Sequence, residues 1–272
     1  MTKTKVDLGL VQETALITLW ARATELKQAA PIIVDPKSVE ILEALDYDFS
    51  KFTHAKDSQT GNCLRGAAID NWVLRYLVEH PQGPVVELGA GLNTRFERVD
   101  NSIVRWFDLD LPDIMAVRKQ FFQESDRRQF ITASAFETNW CERVKAPGSN
   151  PSLFVAEGVL MYFNEAQVKQ LFANLAEYFP GSLFAFDSYS PWLLRNLKRF
   201  ASLQFVSAKF DWGISDIYKI QDWDSRYKVV EISKITDSPA QYLKRYSLLK
   251  RLLFSYVPLL RDSSRLALVQ LG

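Results

Sequence analysis

The spacing of apolar residues changes character along the chain. In the first sixty residues it is helical: VQETALITLWARATELKQAA, residues 11–30, joins Ala, Leu and Glu to an apolar stripe and predicts a helix, with no strand pattern before residue 61. Between Gly61 and His80, Ile69, Val73, Tyr76 and Leu77 fall at i, i+4, i+7 and i+8, an amphipathic helix that leads into GPVVELG. Short β-branched or aromatic runs follow: PVVEL, SIVRWFDLD, QFITAS, SLFVAEG and SLFAFDS. Helical stretches such as LPDIMAVRKQFFQES lie between them, and this alternation predicts a parallel sheet covered on both faces. In NEAQVKQLFANLAEYFPG, Asn164 is a natural N-cap. Val168, Leu171, Phe172, Leu175 and Phe179 form one face of that helix, and Pro180 with Gly181 stops it. RYKVVEIS and RLALVQLG predict two further strands, with the helical PAQYLKRYSLLKRLLFSYV between them. No repeat, low-complexity tract or Pro/Ser-rich linker divides the chain, so residues 1–272 are expected to form one domain.

Composition narrows the class of partner. With 272 residues, 47% of them hydrophobic, the chain is long enough to bury a large core. Lys and Arg number 33 against 32 Asp and Glu, so the net charge of +1 offers no general attraction for nucleic acid or anionic lipid, and a small-molecule partner is expected. Cys63 and Cys141 have neither metal-ligand nor CxxC spacing, and a reducing cytoplasm fits them. Asp7, Gln12 and Glu13 interrupt the N-terminal apolar run before signal-peptide length, and no stretch approaches a membrane span.

The chemistry gathers where the predicted strands end. In PVVELGAGLNTR, Gly89 and Gly91 match the first two positions of a dinucleotide fingerprint, but Thr94 stands at the third, and no Gly-Lys-Ser/Thr follows. Glu87, just before the loop, suits a cationic ligand better than a pyrophosphate. RWFDLDLP places Asp108 and Asp110 at the end of the second strand, Asp110 lying where nucleoside-binding folds hold ribose hydroxyls. AEGVLMYF puts Glu157 at the next strand end, with Tyr162 beyond it. Together these features point to S-adenosylmethionine, which carries an adenosine, a sulfonium and an amino acid but no phosphate. Arg65 lies one turn before Ile69 on the inward stripe. Its own surroundings leave two readings open, snorkelling past the helix end or facing a buried anion.

In order and spacing, LRGAAIDNWV, VVELGAGLNTR, FDLDLP and AEGVLMYF resemble the leucine carboxyl methyltransferase and tetracenomycin carboxyl methyltransferase family of S-adenosylmethionine-dependent O-methyltransferases. The likeness runs from about residue 61 to 181, with FDWGISD a weaker match. It implies a Rossmann-like class I methyltransferase: α/β, with a seven-stranded, mostly parallel sheet flanked by helices and an N-terminal helical lid over residues 1–60. It also implies that Arg65 binds the methionine carboxylate. Gly89, Ala90 and Gly91 would line the cofactor with Glu87 and Asp108 beside them, Asp110 and Leu111 would take the ribose, and Glu157 and Gly158 the amino-acid end. Ser134, Ala135 and Phe136 would meet the adenine; Ser134 stands where relatives carry an acid, and Asn93 where they often carry Asp.

The expected reaction is methyl transfer to a carboxylate or hydroxyl oxygen of a small acceptor, with Tyr162 as the candidate catalytic residue and no metal. The alternatives are a cofactor-binding protein without catalysis and a methyltransferase acting on the C-terminal carboxylate of a protein. His54 and the aromatics Trp192, Phe205, Phe210, Trp212 and Tyr218 are candidates for the acceptor end. Residues 41–60 and part of 188–216 are expected to close over the cofactor.

Overall fold

The computed structural model of the chain describes residues 4–5, 14–145, 151–196 and 209–272. In chain order the strands are β1 (Thr4–Lys5), β2 (Leu45–Asp46), β3 (Pro84–Leu88), β4 (Arg105–Asp110), β5 (Arg128–Thr132), β6 (Leu153–Ala156), β7 (Ser182–Tyr189), β8 (Lys228–Lys234) and β9 (Ser264–Leu271). The helices are α1 (Thr14–Glu25), α2 (Pro36–Ala44), α3 (Lys56–Glu79), α4 (Arg95–Val99), α5 (Pro112–Arg118), α6 (Cys141–Val144), α7 (Glu165–Tyr178), α8 (Pro191–Asn196), α9 (Ala240–Leu243), α10 (Leu248–Tyr256) and α11 (Pro258–Arg261).

Seven strands form one sheet in the order β5-β4-β3-β6-β7-β9-β8, in which β9 runs antiparallel to both neighbours and the five strands from β5 to β7 are parallel. This is the expected mostly parallel α/β sheet. The parallel strands end on one edge, and order reverses between β3 and β6, which is where such sheets bind ligands. Each face buries its own core. Phe172 of α7 packs on Phe184 and Phe186 of one face, while Ile69 and Val73 of α3 pack with Trp106 on the other.

Local chemistry accounts for the helix ends. Asn164 accepts from the Gln167 N–H at 2.9 Å and Gln167 returns a side-chain acceptor to the Asn164 N–H at 3.0 Å, a complete capping box. The predicted C-terminal helical stretch is broken into two, α9 and α10, and a third short helix, α11, follows it. The Ser247 hydroxyl caps a new start by accepting from the Lys250 N–H, and Pro258 at the first position of α11 has no N–H with which to continue α10. The expectation of no strand before residue 61 is corrected by the β1–β2 ladder, whose two residue pairs are too few to leave a periodic signal.

The N-terminal helices are built into the main core. Leu16 and Leu19 of α1 and Ile41 of α2, each at most 1% exposed, pack with Leu92, Ile114 and Met115.

Candidate functional site

The turn after β3 needs glycine. Gly89 and Gly91 have φ of +68° and +50°, and a Cβ on Gly89 would lie 2.6 Å from the Val159 side chain. The turn is tied to β4, because the Gly89 and Ala90 N–H groups donate to the Leu109 carbonyl at 2.9 and 3.1 Å. From the end of β4 the Asp110 carboxylate accepts from the Gly91 N–H at 2.6 Å and from the Leu111 N–H at 2.8 Å. Each of its oxygens keeps lone-pair capacity for a further donor. Burial pushes the Asp110 carboxyl up to about 6, against the lowering pull of those two N–H groups.

Arg65 settles on the buried-anion side of its two readings. Its side chain is 13% exposed; Nε donates to Glu157 at 2.9 Å, and Nη1 to Asp187 at 3.1 Å and to the Tyr189 hydroxyl at 3.0 Å. Among the described residues its Nη2 has no protein acceptor. A Cβ on Gly158 would come within 3.5 Å of that atom, so the glycine keeps the approach to it open. Glu157 also takes Arg95 Nη2 at 2.5 Å. Burial alone would raise the Glu157 carboxyl, but Arg65 and Arg95 hold it at about 2.

Behind these groups runs a continuous buried chain of ion pairs. Fully buried Arg95 joins Glu157 to Asp70 and Glu87; Arg98 joins Asp70 to Asp35; and Asp35 pairs with Arg22 of α1 at 3.0 Å. Arg22 Nη2 then reaches the Leu92 carbonyl in the glycine turn at 2.9 Å, and the Thr94 hydroxyl donates to Asp35.

One cavity of about 870 Å³ collects most of the residues singled out by sequence. Arg65, Gly89, Ala90, Gly91, Asp110 and Leu111 line it, as do Ser134, Ala135, Phe136, Glu157, Gly158 and Tyr162. Two assignments are corrected. Glu87 and Asp108 do not line the cavity; Glu87, 2% exposed, pairs with Arg95, and fully buried Asp108 pairs with Arg118 and Arg128. Depth along the strand, not its alternation, separates the two acids: both fall on the same face of β4, but Asp108 lies two residues inward between Arg118 and Arg128, while Asp110 sits at the strand's open end. The Tyr162 hydroxyl donates to Thr14 at 2.9 Å, and burial pushes its phenol up to about 12.

His54 and Trp192 also line the cavity, joined by Leu253, Phe254 and Leu260 of the C-terminal helices. Of the other aromatics, Trp212 is core, Tyr218 is 57% exposed, and Phe210 packs on Tyr162 with ring centres 5.5 Å apart. Phe205, and residues 197–208 of the expected cover, lie outside the described residues. No local pattern marks Arg22, Arg95, Arg118 and Asp187, although Asp187 lies near the end of β7 much as Asp110 lies at the end of β4.

The donor set fits a zwitterionic adenosyl ligand: a strand-end carboxylate with spare acceptor capacity, a glycine turn free of side chains, and a guanidinium NH₂ beside an ionised carboxylate. If Asp110 binds the ribose, its affinity should follow its charge. Donor affinity is expected to fall below about pH 6 as the carboxyl protonates and loses acceptor capacity, and Asp110→Asn should abolish that dependence. The same substitution is expected to weaken binding by about 1.5–3 kcal/mol at pH 7.5, read by calorimetry. Unchanged affinity across pH 5–8 would remove Asp110 from the site. For the ligand-free protein the sign is opposite. A folded carboxyl raised from 3.8 to about 6 contributes stability below 3.8, and that contribution is lost as pH rises through 6.

Comparison with known proteins agrees with this geometry. The leucine carboxyl methyltransferase family profile matches residues 15–176. The chain is 33% identical over 235 residues to the tetracenomycin polyketide synthesis O-methyltransferase TcmP of Streptomyces glaucescens, covering 86% of each chain. It is 27% identical over 195 residues to the S-adenosyl-L-methionine-dependent methyltransferase dpfgK of Gibberella zeae, covering 66% of this chain and 65% of that one. In fold it resembles the crystal structure of a DUF574 family protein of Streptomyces avermitilis, with a TM-score of 0.59 at 12% identity over 97% of this chain and 100% of that one. The chain therefore belongs to the leucine carboxyl methyltransferase family and is an S-adenosylmethionine-dependent methyltransferase.

Proposed function

We propose that the chain methylates a carboxylate oxygen of a small, largely apolar acceptor. The observation that carries this reading is a single cavity lined both by the glycine turn and by the apolar side chains of Met161, Trp192, Leu253 and Phe254. A volume of about 870 Å³ is near the top of the roughly 300–1,000 Å³ range of ligand pockets, which leaves room for donor and acceptor together. The similarity to TcmP supports transfer to oxygen. When bound, S-adenosylmethionine would supply a sulfonium methyl, to whose carbon an ionised carboxylate oxygen bonds as the carbon–sulfur bond breaks, leaving the thioether S-adenosylhomocysteine and no proton to remove.

In this reading Arg65 Nη2 binds the methionine carboxylate, Glu157 and Gly158 border its ammonium, Asp110 and Leu111 hold the ribose, and Ser134, Ala135 and Phe136 flank the adenine. The chain's residues orient the partners and exclude water. Residues 1–272 act as one domain, soluble in the cytoplasm, taking a small molecule and neither nucleic acid nor membrane as partner. Residues 14–60 with the C-terminal helices enclose the acceptor end.

Tyr162 is a wall residue in this scheme, because a phenol held protonated and donating to Thr14 is no base. Tyr162→Phe is expected to keep kcat within about threefold, since it removes one neutral hydrogen bond worth about 1 kcal/mol. A hundredfold loss would make the tyrosine catalytic. Incubation with labelled donor and matched acids and phenols tests the acceptor: a base-labile methyl ester is expected. A phenyl ether whose formation is lost in His54→Gln would favour the second reading, a hydroxyl acceptor with the cavity-lining His54 as base.

A further inference from the structure

The glycine turn is held from beneath by a residue outside the cavity. Arg118, the last residue of α5, is 1% exposed, and its Nη1 donates to three turn carbonyls: Ala90 at 3.3 Å, Gly91 at 2.8 Å and Asn93 at 2.9 Å. Its Nη2 pairs with Asp108 at 2.9 Å, and its guanidinium lies 4.3 Å from the Phe122 ring centre. Burial would raise the Asp108 carboxyl, but Arg118 and Arg128 overcome it and hold the acid below the usual carboxylate range. A buried arginine is costly, and here Nε has no hydrogen-bond partner among the described residues, so packing alone would be served better by Met or Leu.

The carbonyl bonds explain why a cation stands there. A trans peptide points its N–H opposite its C=O, so turning the Ala90 carbonyl toward Arg118 turns the Gly91 N–H away, where Asp110 accepts it at 2.6 Å. The turn is thus gripped on both sides, its carbonyls by Arg118 and its N–H by Asp110. Glycine at positive φ resists neither peptide flip nor loosening, and these bonds supply the restraint that the residues themselves lack.

We propose that Arg118, anchored by Asp108, is the positioning residue that presets the glycine turn and the Asp110 carboxylate for the methyl donor, and so sets donor affinity. This rests on the assignment of the cavity to the donor. It also gives Asp108 a role one step behind the cofactor.

Arg128 provides the control. It is equally buried and shares Asp108, yet its other bond goes to Glu97 and none to the turn. Arg118→Met and Arg128→Met are both expected to lower thermal stability. Only Arg118→Met is expected to raise the S-adenosylmethionine Kd and KM, by about tenfold or more, with acceptor KM within about twofold. In the ligand-free proteins, hydrogen exchange of the amides of residues 89–95 should speed up in Arg118→Met and not in Arg128→Met, a readout independent of what the cavity binds. Arg118→Lys keeps the charge without the fork and should lie between wild type and Arg118→Met in both measurements. Equal donor Kd and equal turn exchange in the two Met variants would overturn the proposal and reduce Arg118 to a core ion pair.

Discussion

Arg95→Met is expected to destabilise the protein by about 3–5 kcal/mol, the usual cost of removing one partner from a buried ion pair. Arg95 is the shared cation of Asp70, Glu87 and Glu157, and its side chain is fully buried. The substitution leaves Glu87 with the Asn93 amide at 3.5 Å as its one remaining side-chain partner among the described residues. Asp70 keeps Arg98, and Glu157 keeps Arg65, so the loss falls most heavily on the acid under the glycine turn. Urea unfolding monitored by circular dichroism measures it. A change below about 1 kcal/mol would mean that water reaches and solvates the three acids. The double variant Arg95→Met/Glu87→Leu should recover part of the loss, because an apolar replacement of both partners is far less costly than an orphaned charge.

A chain lacking residues 1–55 is expected to lose donor binding together with methyl transfer. A separable cover would leave donor binding intact. The structure ties this segment to the donor site in two ways: α1 buries Leu16 and Leu19 against Leu92, Ile114 and Met115, and Arg22 and Asp35 bond the glycine turn through the Leu92 carbonyl and the Thr94 hydroxyl. Each large apolar side chain left without its partners costs about 2–5 kcal/mol, so the truncated chain should melt without a cooperative transition. Arg22→Met tests the polar tie alone in a chain that keeps its core. It should weaken S-adenosylmethionine binding by about 1–3 kcal/mol in calorimetry, from loss of the Asp35 pair and the Leu92 bond. A truncated chain that melts cooperatively and binds donor as the full chain does would restore the separable cover.

The sequence carried the seven-stranded sheet and its longer helices because those elements declare themselves locally. Strand composition, the amphipathic stripe of α3 and the capping of α7 depend on neighbours within a few residues, and so does the glycine turn after PVVEL. Family resemblance then implied residues that do line one cavity, from Arg65 to Gly158. Long-range pairing was not legible in that way. Asp108 and Asp110 have the same residue type on the same strand, and which of them meets the cavity depends on where Arg118 and Arg128 arrive from α5 and β5. Tyr162 donates to Thr14 of α1 at 2.9 Å, a contact across 148 positions that no local pattern records. The buried ionic chain joins residues up to 122 positions apart, from Arg22 and Asp35 through Arg95 to Arg65 and Asp187. No periodicity records such partners, because a buried charge is specified by what surrounds it in space and not by the residues beside it in the chain.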